Sequence, residues 1–315
     1  MRKILVLLMT MAPSVLADGL FSSWLDNTSA LAQELSSEWR HELPSSGMMP
    51  SFVSVEYVSR MRERHGGSSL GWQQYNLCVP LADPRRSGGD KWMFNASLNA
   101  DVTVLDTSGS LDIEHNNLYH FSLPVSAIVP QDNGNVWIAA IAPTFDSDFS
   151  RSAHSFHMNM MVSYQVKRSE TFRYSVGLAY APYAADWSIM PVLSFDWQMT
   201  PEWNVNLSGY CLRVMRDMGQ GLSLGAFVQG DGGSWAVSTE HGGTRMLRVR
   251  SLVAGLTAEY DFSKDGETKR VVTFSLGSTL ATAADVCEYN SDQDRVESHH
   301  YQPGFYVSGG VDFRF

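Results

Sequence analysis

The sequence predicts an all-β fold: an antiparallel transmembrane β-barrel of about 12 strands, with 10 or 14 as the alternatives, preceded by a short N-terminal helix. Three observations carry this. The last eleven residues, Phe305–Phe315, place an apolar or small residue at every odd position and end the chain on Phe, which gives an extended strand one lipid-compatible face and one polar face. The same period of two recurs about a dozen times upstream. Beyond the first seventeen residues no apolar run approaches the roughly 20 residues that a spanning helix needs. A chain of this kind enters a membrane only as a closed barrel, because lipid offers no partner for an unpaired backbone group.

Met1-Arg-Lys, the apolar stretch Ile4–Ala12 and the small-residue site Val15-Leu-Ala17 have the arrangement of a secretory signal peptide. Residues 1–17 are therefore expected to be removed, and with no Cys after the cleavage point a lipid-modified N-terminus is not expected. Residues 18–50 form a periplasmic segment. Within it Leu31, Leu35, Trp39 and Leu43 recur at helical spacing opposite Glu34, Glu38, Arg40 and Glu42, which predicts a short amphipathic helix ended by Pro44-Ser-Ser-Gly47.

The barrel is assigned to 51–315. Its clearest strand is Trp92–Val104, where Phe94, Ala96, Leu98, Ala100 and Val102 alternate with Asn95, Ser97, Asn99 and Asp101. That length suits a tilted membrane strand better than a soluble one. Leu252–Phe262 repeats the pattern, and it is legible again in 156–166, 172–180, 189–199, 203–209, 222–228 and 272–280, with weaker segments at 52–62, 70–81, 118–129 and 136–143. Including the terminal strand, the sequence shows thirteen segments. Single-chain bacterial barrels have an even number, so one assignment is at fault, and the stretch Tyr210–Gly221 is where the alternation breaks down. Met199-Thr-Pro-Glu-Trp203 and Phe262-Ser-Lys-Asp-Gly266 read as short turns, and 143–154, 230–245 and 284–304 as longer outer loops. Trp72, Trp92, Trp187, Trp197, Trp203, Tyr183, Tyr260, Phe262, Phe313 and Phe315 are candidates for interfacial girdles.

Composition sets limits. Mean hydropathy is −0.16, too polar for a helical membrane protein, yet the chain holds 12 Tyr, 15 Phe and 9 Trp. The formal charge of −10 argues against nucleic acid as a partner. Cys78, Cys211 and Cys287 are too few for a disulfide framework. Strand parity puts Cys78 inside and Cys211 outside, so all three are read as unpaired thiols.

The signal segment, the long alternating strands and the ending Val311-Asp-Phe313-Arg-Phe315 resemble the outer-membrane β-barrel proteins of Gram-negative bacteria, in particular barrel families without an assigned activity. The resemblance implies residence in the outer membrane among its lipid and lipopolysaccharide. It also implies an assembly signal at Val311, Phe313 and Phe315, read by the barrel-assembly machinery. It specifies no activity, since a shared scaffold carries many functions.

No catalytic constellation stands out, and no cofactor or metal is expected. Glu297-Ser298-His299-His300 is the nearest to one, but adjacent residues do not readily make a base-oriented nucleophile. His154 and His157 lie three apart and so face opposite ways on a strand. The acidic groups Asp146-Ser-Asp148 and Asp292-Gln-Asp294 lack the glycine turn and the terminal Glu of a calcium loop. Parity turns Glu56, Arg60, Arg62, Asp101, Arg173, Asp196 and Glu259 inward as candidate lumen-lining charges. Their mixed signs favour internal ion pairs around a narrow passage. The expectation is a non-enzymatic barrel, a passive channel or small-solute transport barrel of unknown substrate; the alternative is a structural or surface-binding barrel acting through its outer loops.

Overall fold

The computed structural model describes residues 50–314 except 82–92, 110, 151–153, 183–188, 240–242, 264–268 and 289–294. The signal segment, the N-terminal helix, Trp92, Tyr183, Trp187 and Phe315 lie outside the described residues. The rest is organised as strands: β1 (Pro50–Arg62), β2 (Ser69–Pro80), β3 (Met93–Ser108), β4 (Asn117–Ser122), β5 (Val125–Pro130), β6 (Val136–Ser147), β7 (Phe156–Ser169) and β8 (Phe172–Tyr180), followed by β9 (Ile189–Gln198), β10 (Trp203–Ser208), β11 (Cys211–Gly219), β12 (Leu222–Ser238), β13 (Thr244–Asp261), β14 (Lys269–Cys287), β15 (Arg295–Tyr301) and β16 (Phe305–Arg314).

Pairing follows chain order around a single antiparallel ring, closed where β16 pairs with β1 in the register Pro50↔Arg314 to Val58↔Tyr306. Two staves of the ring are interrupted. β4 and β5 both lie between β3 and β6 and part at Leu123-Pro124, where proline has no amide to give to a ladder. β15 and β16 both pair with β14 and part at Gln302-Pro303-Gly304. Counted as staves, the sixteen segments make fourteen, an even number, as a barrel with both termini at one end requires. Among the described residues the count is thus fourteen, the upper of the two alternatives to the expected 12. The stave absent from the thirteen segments legible in the sequence is β11, which pairs with β10 and β12 through the segment that sequence reading left unresolved. Leu212 and Val214 are its only apolar outward residues before Arg216, so its alternation is faint. Gly209, in the left-handed region at φ 56°, makes the tight reversal from β10.

The side-chain distribution is that of a water-soluble protein turned inside out. On β2, Gln74, Asn76 and Cys78 are buried while Tyr75, Leu77 and Val79 between them are exposed, Tyr75 by 45%. β7 and β8 repeat this with buried Asn159, Ser163 and Ser175 against exposed Met160, Val162, Val176 and Leu178. Each exposed side chain of that size would cost about 1.5–3 kcal/mol in water, so a ring of them marks a surface made for lipid. At the end carrying the termini the outer wall holds aromatic groups: Trp137 against Tyr164 at 4.6 Å, Phe172 against Trp197 at 6.3 Å, and Trp203 under the Arg216 guanidinium at 5.7 Å. Trp72, expected in a girdle, is instead an inward residue that is 2% exposed.

Regular alternation fails along one line. The register shifts on β1 between Val58 and Met61 and on β14 opposite Leu252 and Val253, and the β15–β16 break falls at the same height. There the Phe305 amide donates to Ser59 Oγ at 2.8 Å and the Gly304 amide to Thr279 Oγ1 at 2.7 Å. Beyond this line β12, β13 and β14, of 17, 18 and 19 residues, continue over the mouth. Segments 230–245 and 284–304, expected as outer loops, are largely strand: β12 runs to Ser238, β13 starts at Thr244, and β15 occupies Arg295–Tyr301.

Candidate functional site in the barrel interior

Because parity is fixed by the ladder, the inner wall can be read stave by stave. Polar groups dominate it, and many of them pair with one another. Asn76 Nδ2 donates to Ser54 Oγ at 3.1 Å, Asn159 Nδ2 to Thr144 Oγ1 at 3.2 Å and Ser275 Oγ to Thr257 Oγ1 at 2.9 Å, while the Ser175 and Ser194 hydroxyls are 2.6 Å apart. Each neighbouring pair comes from adjacent staves, so strand register alone brings them together. One sector, over β5–β9, is apolar, with Ile138, Ala140, Ala142, Met161 and Ala179 in contact.

Of the charges read as lumen-lining, five keep the inward parity of their strands. Glu56 lies opposite Gln74 and accepts from Tyr306 Oη at 3.1 Å; Tyr306 in turn accepts from Gln229 Nε2 at 3.1 Å. Asp101 stands in register between Asn76 and His120. Arg173 and Asp196 are register partners, and Asn204 Nδ2 donates to Asp196 Oδ1 at 2.7 Å. Glu259 accepts from the buried Arg213 Nη1 at 2.9 Å.

Arg60 and Arg62 are a correction. The bulge after Val58 uses two residues opposite Gly71, so Met61 takes the inward place and both arginines turn outward and are exposed. Cys211, expected outside, pairs with Ser208 on the same face as Arg213 and points inward. Among the described residues Cys78, Cys211 and Cys287 form no disulfide.

The structure also brings together residues the sequence gave no reason to join. His120 Nδ1 is hydrogen-bonded to Asp146 Oδ1, and His157 Nε2 lies 3.4 Å from Asp146 Oδ2. These residues come from β4, β6 and β7, 26 and 11 positions apart, a spacing with no local signature. His154, with φ 65°, lies outside β7, so it and His157 are not on opposite faces of one strand as expected.

At the end away from the termini the interior becomes apolar. Val58, Met61, Leu70, Trp72, Leu118, Trp235, Val237, Leu247, Val249 and Val286 form one buried cluster with Leu111 and Ile113 from the β3–β4 connection. A clasp holds this cap against the opposite wall. Ala236 of β12 pairs with Ser147 of β6, the Ser238 amide donates to Asp148 Oδ2 at 2.8 Å, and the Ser150 and Ser238 hydroxyls meet. Arg245 on β13 also approaches Asp112 at 3.6 Å.

Beside the cap, Glu63 lies beyond β1. Its carboxylate accepts from Ser68 Oγ at 2.5 Å and is 2.9 Å from His299 Nδ1. The Ser68 hydrogen bond first, and His299 second, hold it below the usual glutamate range. Ser298 Oγ donates to Asp285 at 2.5 Å and points away from His299, so the run 297–300 forms no nucleophile–base pair.

A closed ring with a polar inside, an exposed apolar outside and both termini at one end defines an outer-membrane-type β-barrel. More particularly, residues 56–314 match the family model described as a domain of unknown function (DUF6268), and the chain belongs to that family. No curated protein matches the chain significantly. Among solved structures it is similar to the COG4313 outer membrane channel from Pseudomonas putida F1, with 11% identity over 87% of this chain and 100% of that one and a TM-score of 0.45. It is also similar to the translocator domain of the autotransporter NalP from Neisseria meningitidis, with 12% identity over 93% and 98% and a TM-score of 0.40. A third likeness is to the Pseudomonas putida toluene transporter TodX, with 9% identity over 93% of each chain and a TM-score of 0.34. The architecture stands on the chain's own ladder register.

Proposed function

We propose that this protein resides in the bacterial outer membrane, delivered there by a cleaved signal at 1–17, and forms a gated passage for small solutes. One observation carries the reading: an inner wall of paired hydroxyl and amide groups runs from the end bearing the termini to the underside of an apolar cap. Such a lining hydrates a path, and a hydrophobic constriction closes one without any covalent step. In this reading the termini face the periplasm and the cap faces outward. The outer wall contacts outer-membrane lipid and lipopolysaccharide, and the strand ending at Phe313 and Phe315 is what the assembly machinery recognises.

The sealed cap also favours a second reading, a barrel that transports nothing and acts as a structural or surface-binding protein. Planar-bilayer recording of folded protein separates the two. Discrete conductance steps, rare in the native chain and frequent in Asp148→Ala, are expected of a gated passage. Silence from both, in preparations whose unboiled and boiled forms migrate differently on a mild SDS gel, overturns the passage and leaves the second reading.

A further inference from the structure

The charges on the inner wall do not balance. With Arg60 and Arg62 outside, the lining charges foreseen from sequence reduce to Glu56, Asp101, Asp196 and Glu259 against Arg173. The structure adds Asp146, Asp231, Asp312 and Arg213, each in register on an inward face.

These two guanidiniums of the inner wall are confined to one side of the ring, while Arg248 and Arg250, buried on β13 towards the cap, lie beside Asp285. Arg213 is bound to Glu259, and Arg173 is the register partner of Asp196. Towards the end bearing the termini, Lys167 is paired with Glu170 and Lys269 with Asp261. Glu56, Asp101 and Asp146 lie on the opposite arc, from β1 to β6, where among the described residues every inward strand position is apolar, neutral-polar, His or acidic. The other inward titratable groups of that arc are His120 and the Cys78 thiol, and His157 reaches Asp146 from β7.

From this placement we infer that the lumen selects for small cations and cationic solutes over anions. Its selectivity is set by the carboxylates of the β1–β6 arc. A low-dielectric wall focuses such a field into the passage, and acidic groups lining a pore raise local cation concentration over about 8–10 Å at physiological salt. The inference rests on the passage proposed above.

The test is the zero-current potential of folded protein in planar bilayers under a KCl gradient. Expected is a potential of cation-selective sign with a K+ over Cl− permeability ratio of about threefold or more. Glu56→Gln with Asp101→Asn should bring the ratio towards one, while Arg60→Gln with Arg62→Gln should leave it unchanged. Asp101→Asn alone serves if the double variant loses its heat-modifiable folded band. An anion-selective potential, or a larger shift from the arginine variants than from the lumen variants, overturns the selectivity and leaves the passage standing. Absence of conductance in native protein and in Asp148→Ala overturns both.

Discussion

Arg60 and Asp106 meet on the outer wall of the barrel across Gly71, with Arg60 Nε donating to Asp106 Oδ2 at 3.0 Å. They can do so because Gly71 carries no side chain. A Cβ there would stand 2.9 Å from the Arg60 amide nitrogen, so the bulge that sends the arginine outward and the glycine beneath it form one device. Gly71→Ala should therefore lower stability by about 1–3 kcal/mol through overpacking, read as a lower urea midpoint for unfolding from lipid vesicles. Asp106→Ala, which loses only an exposed ion pair, should change it by less than about 1 kcal/mol. Equal effects would contradict this division.

Asp148 is the hinge point of the cap. Asp148→Ala leaves the Ser238 amide without its side-chain acceptor, and the cost of an orphaned hydrogen bond is about 1–3 kcal/mol. Local opening at 236–238 should rise accordingly, seen as roughly tenfold or faster amide exchange there, with exchange in β7 and β8 unchanged. Uniformly faster exchange would assign the effect to the whole barrel instead.

Arg213 and Glu259 are buried and partly buried partners inside the ring. Arg213→Leu leaves the partly buried Glu259 carboxylate without its partner, and removing one member of a buried pair costs up to about 3–5 kcal/mol. Replacing both, by Arg213→Leu with Glu259→Leu, should restore most of that. Heat-modifiability gels across temperature would report both changes, and a double variant no better than the single would refute the pairing as the cause.

The Glu63 carboxyl is held below its ordinary value by Ser68 and His299. Its contribution to stability is therefore complete above the unfolded glutamate value of about 4.3 and is lost as pH falls through the lower folded value. The thermal transition of the native protein should fall on acidification from about pH 5 to about pH 3, more steeply than that of Glu63→Gln. Parallel curves would remove Glu63 from the account.

For assembly, replacing Phe313 by Asp or deleting Phe315 should lower the outer-membrane yield of folded protein. Phe313 stands on the outward face of β16 opposite Ser51 and Arg270, so a carboxylate there meets lipid at a cost of about 0–1 kcal/mol near the interface and more at depth. Unchanged yields from cell fractionation would argue against a terminal signal.

The outward face was legible because lipid imposes one uniform demand. Phe94, Leu98, Val176 and Leu178 have to be apolar in strict alternation, and the sequence shows it. What escaped were departures from alternation. The bulge at Ser59 and Arg60 is invisible without the partner strand, and counting by twos sent both arginines inward. β11 was lost because Arg216 interrupts its outward apolar file after Leu212 and Val214. The cap strands were read as loops because above the lipid both faces are covered, so Met246–Ser251 shows no alternation of burial. His120, Asp146 and His157 come together through register across three staves, and no spacing along the chain encodes that.

The closure of β1 onto β16 bears on how the protein comes to exist. Ser51 Oγ donates to the Phe313 carbonyl across 262 positions of sequence, so the ring cannot shut until nearly the last residue has been made. Until then two strand edges stand open, each a template for pairing with the wrong chain, and contacts of such separation form slowly. The order of synthesis thus leaves the edge of β1 uncovered through the making of every other strand.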